Sequence, residues 1–202
     1  NMAILSTQPA SSTFQAGSIT STFSQIGSVK VAISKGNVAN KRCDAYIVPQ
    51  FQTYAAGGGV SRSVAINGGG SGINQYDDFA RANGPLPLGK AYITESGGGN
   101  SKKLIHVSSV VEGGDPKNNF ETVHYAIYNA LKAAQSDASI EKIVVPVLGT
   151  GDFGTLTAEQ SVKAMLSGVQ RFADEGGRPL DFEIVVFEGS GNASHDLVIA
   201  NR

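Results

Sequence analysis

Two glycine clusters stand where a main chain could meet an anion. The first is Gly57-Gly58-Gly59-Val60, leading into residues 61–66, a stretch that can be helical. Glycine admits positive φ and removes the side chain that would hold a ligand away from the backbone. A glycine run that opens a helix offers several N–H groups to an anion. The second cluster, Gly149-Thr150-Gly151-Asp152-Phe153-Gly154, follows the most apolar stretch of the chain and precedes a segment that Thr157 and Gln160 can cap as a helix. Its G-x-G-x-x-G spacing describes a tight turn with close approach of the main chain to phosphate oxygens. Asp152 is the one carboxylate in either cluster. Pointing inward beside phosphates, its pKa would rise and it would serve as a general acid. Pointing to solvent, or capping the next helix, it would do no chemistry.

Other chemistry-bearing residues are few. The chain has three histidines and one cysteine, Cys43. That excludes an internal disulfide framework and any multi-cysteine zinc site. No His-Glu-x-x-His spacing occurs, so neither a metal nor another cofactor is expected. His106 reads as the end of a core strand, His124 as a helix surface or boundary residue, and His195-Asp196 as an exposed pair with no serine nucleophile to serve. The run Gly84-Pro85-Leu86-Pro87-Leu88-Gly89-Lys90 imitates a triphosphate-binding loop. It fails because Ala91 stands where a magnesium-holding hydroxyl is needed and a strand follows instead of a helix. The second cluster is not a dinucleotide-binding Rossmann unit either, since only one strand follows it and Asp174 and Glu175, near the required offset, sit at a helix end.

The 202 residues suffice for one domain with a real core. Charged residues make up 16 % of the chain, against ~25 % in typical domains. With a formal net charge of −1, the chain has no general electrostatic pull on nucleic acid. Its longest aliphatic stretch, around residues 143–148, is far too short to span a bilayer. A cytoplasmic protein with no membrane partner is the expectation.

The elements that must position the glycine clusters follow from periodicity. Val29, Val31 and Ile33 alternate with Lys30, Ala32 and Ser34, as in a half-buried strand. Further strands are expected at residues 45–48, 90–95, 103–108, 142–148 and 182–187, with a turn at Gly97-Gly98-Gly99-Asn100. Asn118 with Glu121 suggests a capping box that opens a helix with a buried stripe of Phe120, Val123, Ile127, Leu131 and Ala134. Thr157 with Gln160 suggests another, whose stripe is Val162, Met165, Leu166, Val169 and Phe172. The glycine-rich run at residues 68–72 reads as a join between two short helices. Alternating strands and helices argue for an α/β fold with helices on both faces of a largely parallel sheet. Residues 1–27, free of charged residues and rich in Ser and Thr, read as a peripheral tail or added hairpin on a domain of residues 28–202.

In order and spacing, Gly36-Asn37-Val38, Cys43-Asp44-Ala45-Tyr46-Ile47-Val48, the 57–60 cluster, Gly89-Lys90-Ala91-Tyr92-Ile93-Thr94, Lys103-Leu104-Ile105-His106-Val107 and residues 145–154 resemble a macro domain, the ADP-ribose-binding module of the Appr-1″-p processing family. The resemblance covers most of the chain from residue 28. It implies a three-layer α/β/α sandwich with a mixed, largely parallel central sheet and a ligand cleft at the carboxyl ends of the central strands. It places Gly57, Gly58, Gly59 and Val60 on one side of the diphosphate and Gly149, Thr150, Gly151 and Gly154 on the other. It puts Phe153 against the distal ribose and Phe187 on the adenine. Asn37 falls where the family usually has an aspartate that accepts from the adenine amino group. An Asn carbonyl accepting there would make an uncharged, weaker bond.

The departures bear on chemistry. Hydrolytic members commonly carry Asn-Ala-Ala-Asn after the second strand of this pattern, where this chain has Pro49-Gln50-Phe51-Gln52. The acidic residue that often follows the glycine-valine motif is Ser61. The resemblance therefore implies binding of ADP-ribose or a related derivative, or of ADP-ribosylated proteins, with weak or no hydrolysis. One alternative is a hydrolase acting on ADP-ribose 1″-phosphate, ADP-ribosylated side chains or O-acetyl-ADP-ribose, with Asp152, or the pair Gln50 and Gln52 in place of the missing Asn, doing the chemistry through a positioned water. Another is a scaffold domain that has lost the ligand.

Overall fold

In the computed structural model, residues 11–15, 18–110, 118–150 and 155–187 are described. Eight strands form one sheet in the order β1-β2-β3-β8-β7-β4-β6-β5. They are β1 (Ser11–Gln15), β2 (Ser18–Ile26), β3 (Val29–Gly36), β4 (Cys43–Phe51), β5 (Ala91–Glu95), β6 (Ser101–Val110), β7 (Lys142–Pro146) and β8 (Leu180–Phe187). The five strands from β3 to β6 in that order pair in parallel, while β1, β2 and β5 add antiparallel edges. The sheet is thus mixed, with a parallel centre. The uncharged N-terminal stretch supplies the β1–β2 pair, which extends the sheet beyond β3.

Both faces are covered, because neighbouring side chains on each central strand go to opposite sides. Ile33, Ile47, Ile105, Val145 and Ile184 pack under α3 (Phe120–Gln135) and α4 (Ala158–Asp174). Tyr46, Val48, Leu104, Val144 and Val185 pack under α1 (Gly59–Val64) and α2 (Gly70–Asn83). Strands buried on both sides read as unbroken apolar runs, as residues 143–145 do. Between α1 and α2 the helical run kinks at Asn67 and Gly68. A Cβ on Gly68 would lie 2.5 Å from the nitrogen of Gly99, so the two glycine-rich runs pack backbone to backbone.

Two local expectations shift by small amounts. The cap of α3 is Asn119, whose side chain accepts from Thr122 N at 3.0 Å while Thr122 Oγ1 accepts from Asn119 N at 2.9 Å. Both Asn118 and Asn119 can cap. The extra residue leaves the Asn118 carbonyl to accept from Thr155 Oγ1 at 2.6 Å. Phe120, expected in the buried stripe, is exposed at the first turn of the helix. The box that closes α4 is the expected one, Thr157 with Gln160.

Below α3 a single guanidinium gathers the turn that leads into β7. Arg178 Nη2 donates to the carbonyls of Ala134 (2.8 Å), Asp137 (2.8 Å) and Ile140 (2.6 Å). These include carbonyls that a helix end leaves without intrahelical partners. Arg178→Met, which keeps the bulk and removes the donors, is expected to lower unfolding stability by about 2 kcal/mol. A shift of the urea midpoint at unchanged slope checks this.

Candidate functional site

At the carboxyl ends of β3, β7 and β8 the described residues line a cleft of ≈ 340 Å³, within the ~300–1,000 Å³ range of small-molecule sites. Asn37 enters from the end of β3, Gly59 and Val60 from the start of α1, Thr150 from beyond β7, and Phe187 from the end of β8. The parallel register pairs Gly36 with Phe187, so Asn37 follows directly on the residue beside that ring. Phe187 is 55 % exposed, leaving a ring face free for stacking.

Sequence reasoning nominated these five residues, and the fold brings them to one space. Gly57 and Gly58 lie just ahead of α1, exposed and outside the cleft lining. A Cβ at either would meet nothing within 4 Å. Gly59 holds φ +57 and Gly149 φ +73, conformations that L side chains rarely adopt. Gly149 also turns the chain so that its carbonyl accepts from Leu156 N at 3.2 Å, closing the second loop at its base. Gly151, Asp152, Phe153 and Gly154 lie outside the described residues, as does the His195-Asp196 pair.

One expectation needs correction, that of the two glutamines. Gln50, considered for catalysis, is fully buried: its Oε1 accepts from Ala56 N at 2.8 Å and its Nε2 bonds His106 Nδ1 at 3.0 Å. Both ends of the amide are used inside the protein, so none is left to orient a water in the cleft. Gln52 is likewise engaged, donating to Leu86 O at 2.6 Å. Asn37 was expected to offer a carbonyl oxygen to a ligand. That oxygen also caps the turn Val38–Asn40, accepting from Ala39 N at 3.0 Å, and its second lone pair is left for another donor.

Behind the first glycine cluster runs a buried polar chain. Because Gln50 Oε1 takes the Ala56 N–H, its Nε2 is the donor toward His106 Nδ1. The imidazole proton then sits on Nε2, 2.9 Å from Thr94 Oγ1. Tyr76 stacks on the ring, centroids 4.8 Å apart. Burial pushes the His106 pKa down to about 3, so the ring is neutral. Ala55 N donates to Asp77 at 2.9 Å, so the segment entering the glycines is held at two successive residues. Sequence reasoning missed this chain. Its signal was a glutamine at the end of an apolar strand.

The described cleft lining carries no charged side chain. Ser63, Pro146 and Val147, which also line it, were not singled out from sequence because their types carry no chemical signal. Below Val185 on the same face of β8, Glu183 accepts from Ser34 Oγ at 2.5 Å and pairs with Lys41 (3.1 Å) and Lys142 (3.5 Å). Burial opposes ionisation of Glu183, but these donors and charges outweigh it and hold its carboxyl below its ordinary range. Ser61, at the position discussed for an acidic residue, is buried with an unpartnered hydroxyl. Burial pushes the Cys43 thiol up to about 11, which suits a structural thiol and not a nucleophile.

A parallel-centred α/β/α sandwich with a cleft at the carboxyl ends of its strands is the arrangement in which open α/β sheets take ligands. The Macro domain family model matches residues 37–165, and the chain belongs to that family. A protein of Thermotoga maritima is 29 % identical over 147 residues, which cover 72 % of this chain but 24 % of that much longer protein. The macrodomain of Oceanobacillus iheyensis, solved with ADP, superposes with a TM-score of 0.74 at 18 % identity, covering 90 % of this chain and 93 % of its own. The Trypanosoma brucei macrodomain, solved in complex with ADP-ribose, gives 0.67 at 17 % identity, covering 85 % and 68 %.

Two expected outcomes follow from the site's construction. Gly149→Ala forces a side chain into positive φ and puts its Cβ 3.0 Å from Val123 Cγ2. It should lower stability by about 1–2 kcal/mol, read as a drop in thermal midpoint. For His106, the unfolded ring takes a proton near its ordinary pKa of 6.5, while the folded ring resists to about 3. The contribution of the neutral ring is complete above pH 6.5 and erodes as pH falls from there toward 3. Wild type should lose up to ~1.4 kcal/mol per pH unit below 6.5 relative to His106→Gln. Urea titrations of both proteins at pH 7, 6 and 5 measure the difference in slope.

Proposed function

We propose that this chain binds ADP-ribose or a related nucleoside diphosphate between its two glycine-rich loops, with weak or no hydrolysis. One observation carries the reading. In a member of the macro domain family, a glycine at positive φ and an exposed aromatic ring line the same ≈ 340 Å³ cleft. Backbone N–H groups of residues 57–59 and 149–151 would take the diphosphate, since hydrogen bonds to an ionised acceptor are the strong ones. Val60, Thr150 and Gly154 would complete those two walls. The Phe187 ring would stack on the base, with Asn37 at its edge, and Phe153 would pack on the distal ribose. ADP and ADP-ribose are the ligands of the O. iheyensis and T. brucei macrodomain structures. A protein carrying ADP-ribose on a side chain presents the same moiety, so ADP-ribosylated proteins are the partner class of this reading.

Weak turnover accords with the engagement of Gln50 by His106 and Ala56. Asp152 remains the one carboxylate through which a hydrolase could act. Calorimetry should show saturable one-to-one binding of ADP-ribose. Gly58→Glu should abolish it while leaving the thermal midpoint within about 1 °C, because the backbone there (φ −135°) suits any residue and the added side chain has open space. Absence of saturable binding of any nucleoside diphosphate up to about 1 mM would refute the reading.

A further inference from the structure

The segment that joins β4 to the first glycine cluster, residues 52–58, is neither strand nor helix, so its backbone groups need partners from elsewhere. One comes from α2. Asp77, in the middle of that helix, accepts from Ala55 N through Oδ1 at 2.9 Å. Its Oδ2 accepts from Arg81 Nε, also at 2.9 Å. The Arg81 guanidinium in turn lies over the Tyr54 ring, 5.2 Å from the centroid. One turn of α2 therefore grips residues 54 and 55 together, and Gln50 holds Ala56 beside them.

Asp77 is not among the described residues that line the cleft. Its negative charge would oppose, not assist, an anion held by the loop. Its ion pair with Arg81 is an exposed i,i+4 pair, a kind that adds little to stability. What Asp77 does carry is the N–H of the residue two places before Gly57. From Gly57 to Gly59 a Cβ would meet nothing within 4 Å, so side-chain packing cannot hold these residues. Their N–H groups are aimed by α1 on one side and by the anchored segment on the other.

We propose that Asp77 is a positioning residue for the diphosphate: through Ala55 it holds the first glycine loop in its ligand-ready geometry before a ligand arrives. This rests on the nucleoside-diphosphate reading above and names what fixes one wall of that site. Ordering the backbone of a loop residue costs free energy, and a loop already ordered does not take that cost out of binding. Gln50 serves Ala56 in the same way from the buried interior. Asp77 acts from a side chain that is 30 % exposed, where a substitution leaves the core intact.

Calorimetry with ADP-ribose on the full chain compares wild type, Asp77→Ala, Asp77→Asn and Arg178→Met, with thermal midpoints measured alongside. Asp77→Ala should weaken binding by about tenfold, the loss falling in the entropy. Removing a negative charge would by itself favour an anion, so weaker binding reports the lost hold on Ala55. Asp77→Asn loses the same charge but keeps an Oδ1 acceptor, and should stay within about twofold of wild type. Arg178→Met, destabilised at the opposite end of β7 from the cleft, should bind as wild type does. Amide relaxation measured by NMR on the free proteins should show residues 57–59 more mobile in Asp77→Ala than in the other three. Wild-type affinity in Asp77→Ala overturns the proposal. So does an equal loss in Asp77→Asn, which would move the effect to the ion pair, or in Arg178→Met, which would make it one of general stability. If wild type does not bind ADP-ribose, the function reading falls and relaxation alone decides the positioning: unchanged mobility of residues 57–59 in Asp77→Ala overturns it.

Discussion

The last described strand, β8, runs between β3 and β7, pairing in parallel with β3 along its whole length and with β7 from Asp181 to Val185. The cleft depends on this insertion. It places Phe187 beside Gly36 on one side, and Val185 beside Pro146 on the other. The three strands therefore end together, and their loops face a common space. The insertion is driven by burial on two faces. Leu180, Phe182, Ile184 and Val186 enter the core under α3 and α4, and Val185 enters the one under α1 and α2. Removing such side chains from water is worth roughly 1.5–3 kcal/mol each. Those gains offset the entropy of closing a loop from residue 29 to residue 180.

Rigidity and openness are separated within a few residues at the first glycine cluster. Ala55 and Ala56 are pinned through their N–H groups, one by Asp77 and one by Gln50. Gln50 is itself held by a histidine that burial keeps neutral. A buried polar chain of this kind is stabilising only while every member is satisfied, which restricts what can stand at Gln50, Thr94 and His106. Immediately afterwards, Gly57, Gly58 and Gly59 have no neighbour within reach of a side chain. The backbone there is presented to solvent from an anchored base. A main chain meant to meet a ligand directly needs both properties, because a loop ordered only on binding would lose affinity to that ordering.

Family membership and electrostatics describe this cleft at different levels. The fold and the order of the motifs are those of a macro domain. The lining is this chain's own: uncharged among the described residues, with an amide whose oxygen is used by the turn it caps. Positive charge from Lys41 sits under one end, already paired with Glu183. Binding in such a site would rest on main-chain donors and one aromatic face more than on ion pairs.

Much of this architecture was legible in the residues. Alternation at residues 29–34, the capping box of Thr157 and Gln160, the turn at residues 97–100 and the two glycine clusters are local patterns, set by sterics and hydrogen bonds within a few positions. Local pattern also carried the motif order that resembles a macro domain. The shift of a cap from Asn118 to Asn119 lay beyond it, because either residue satisfies the local rule and the choice was made by Thr155, distant in sequence. The fate of Gln50 depended on His106, 56 positions away, and so did the protonation state of that ring. The role of the Asn37 oxygen as a cap was likewise undetermined until the turn at Val38–Asn40 closed on it. The sequence by itself determined which segments become strands and helices and where the side-chain-free loops lie, since those follow from period and propensity. Only the tertiary structure decided which polar atoms are consumed internally and which remain for a ligand, because each hydrogen-bond capacity is spent once and its partner is chosen by the packing of the whole chain.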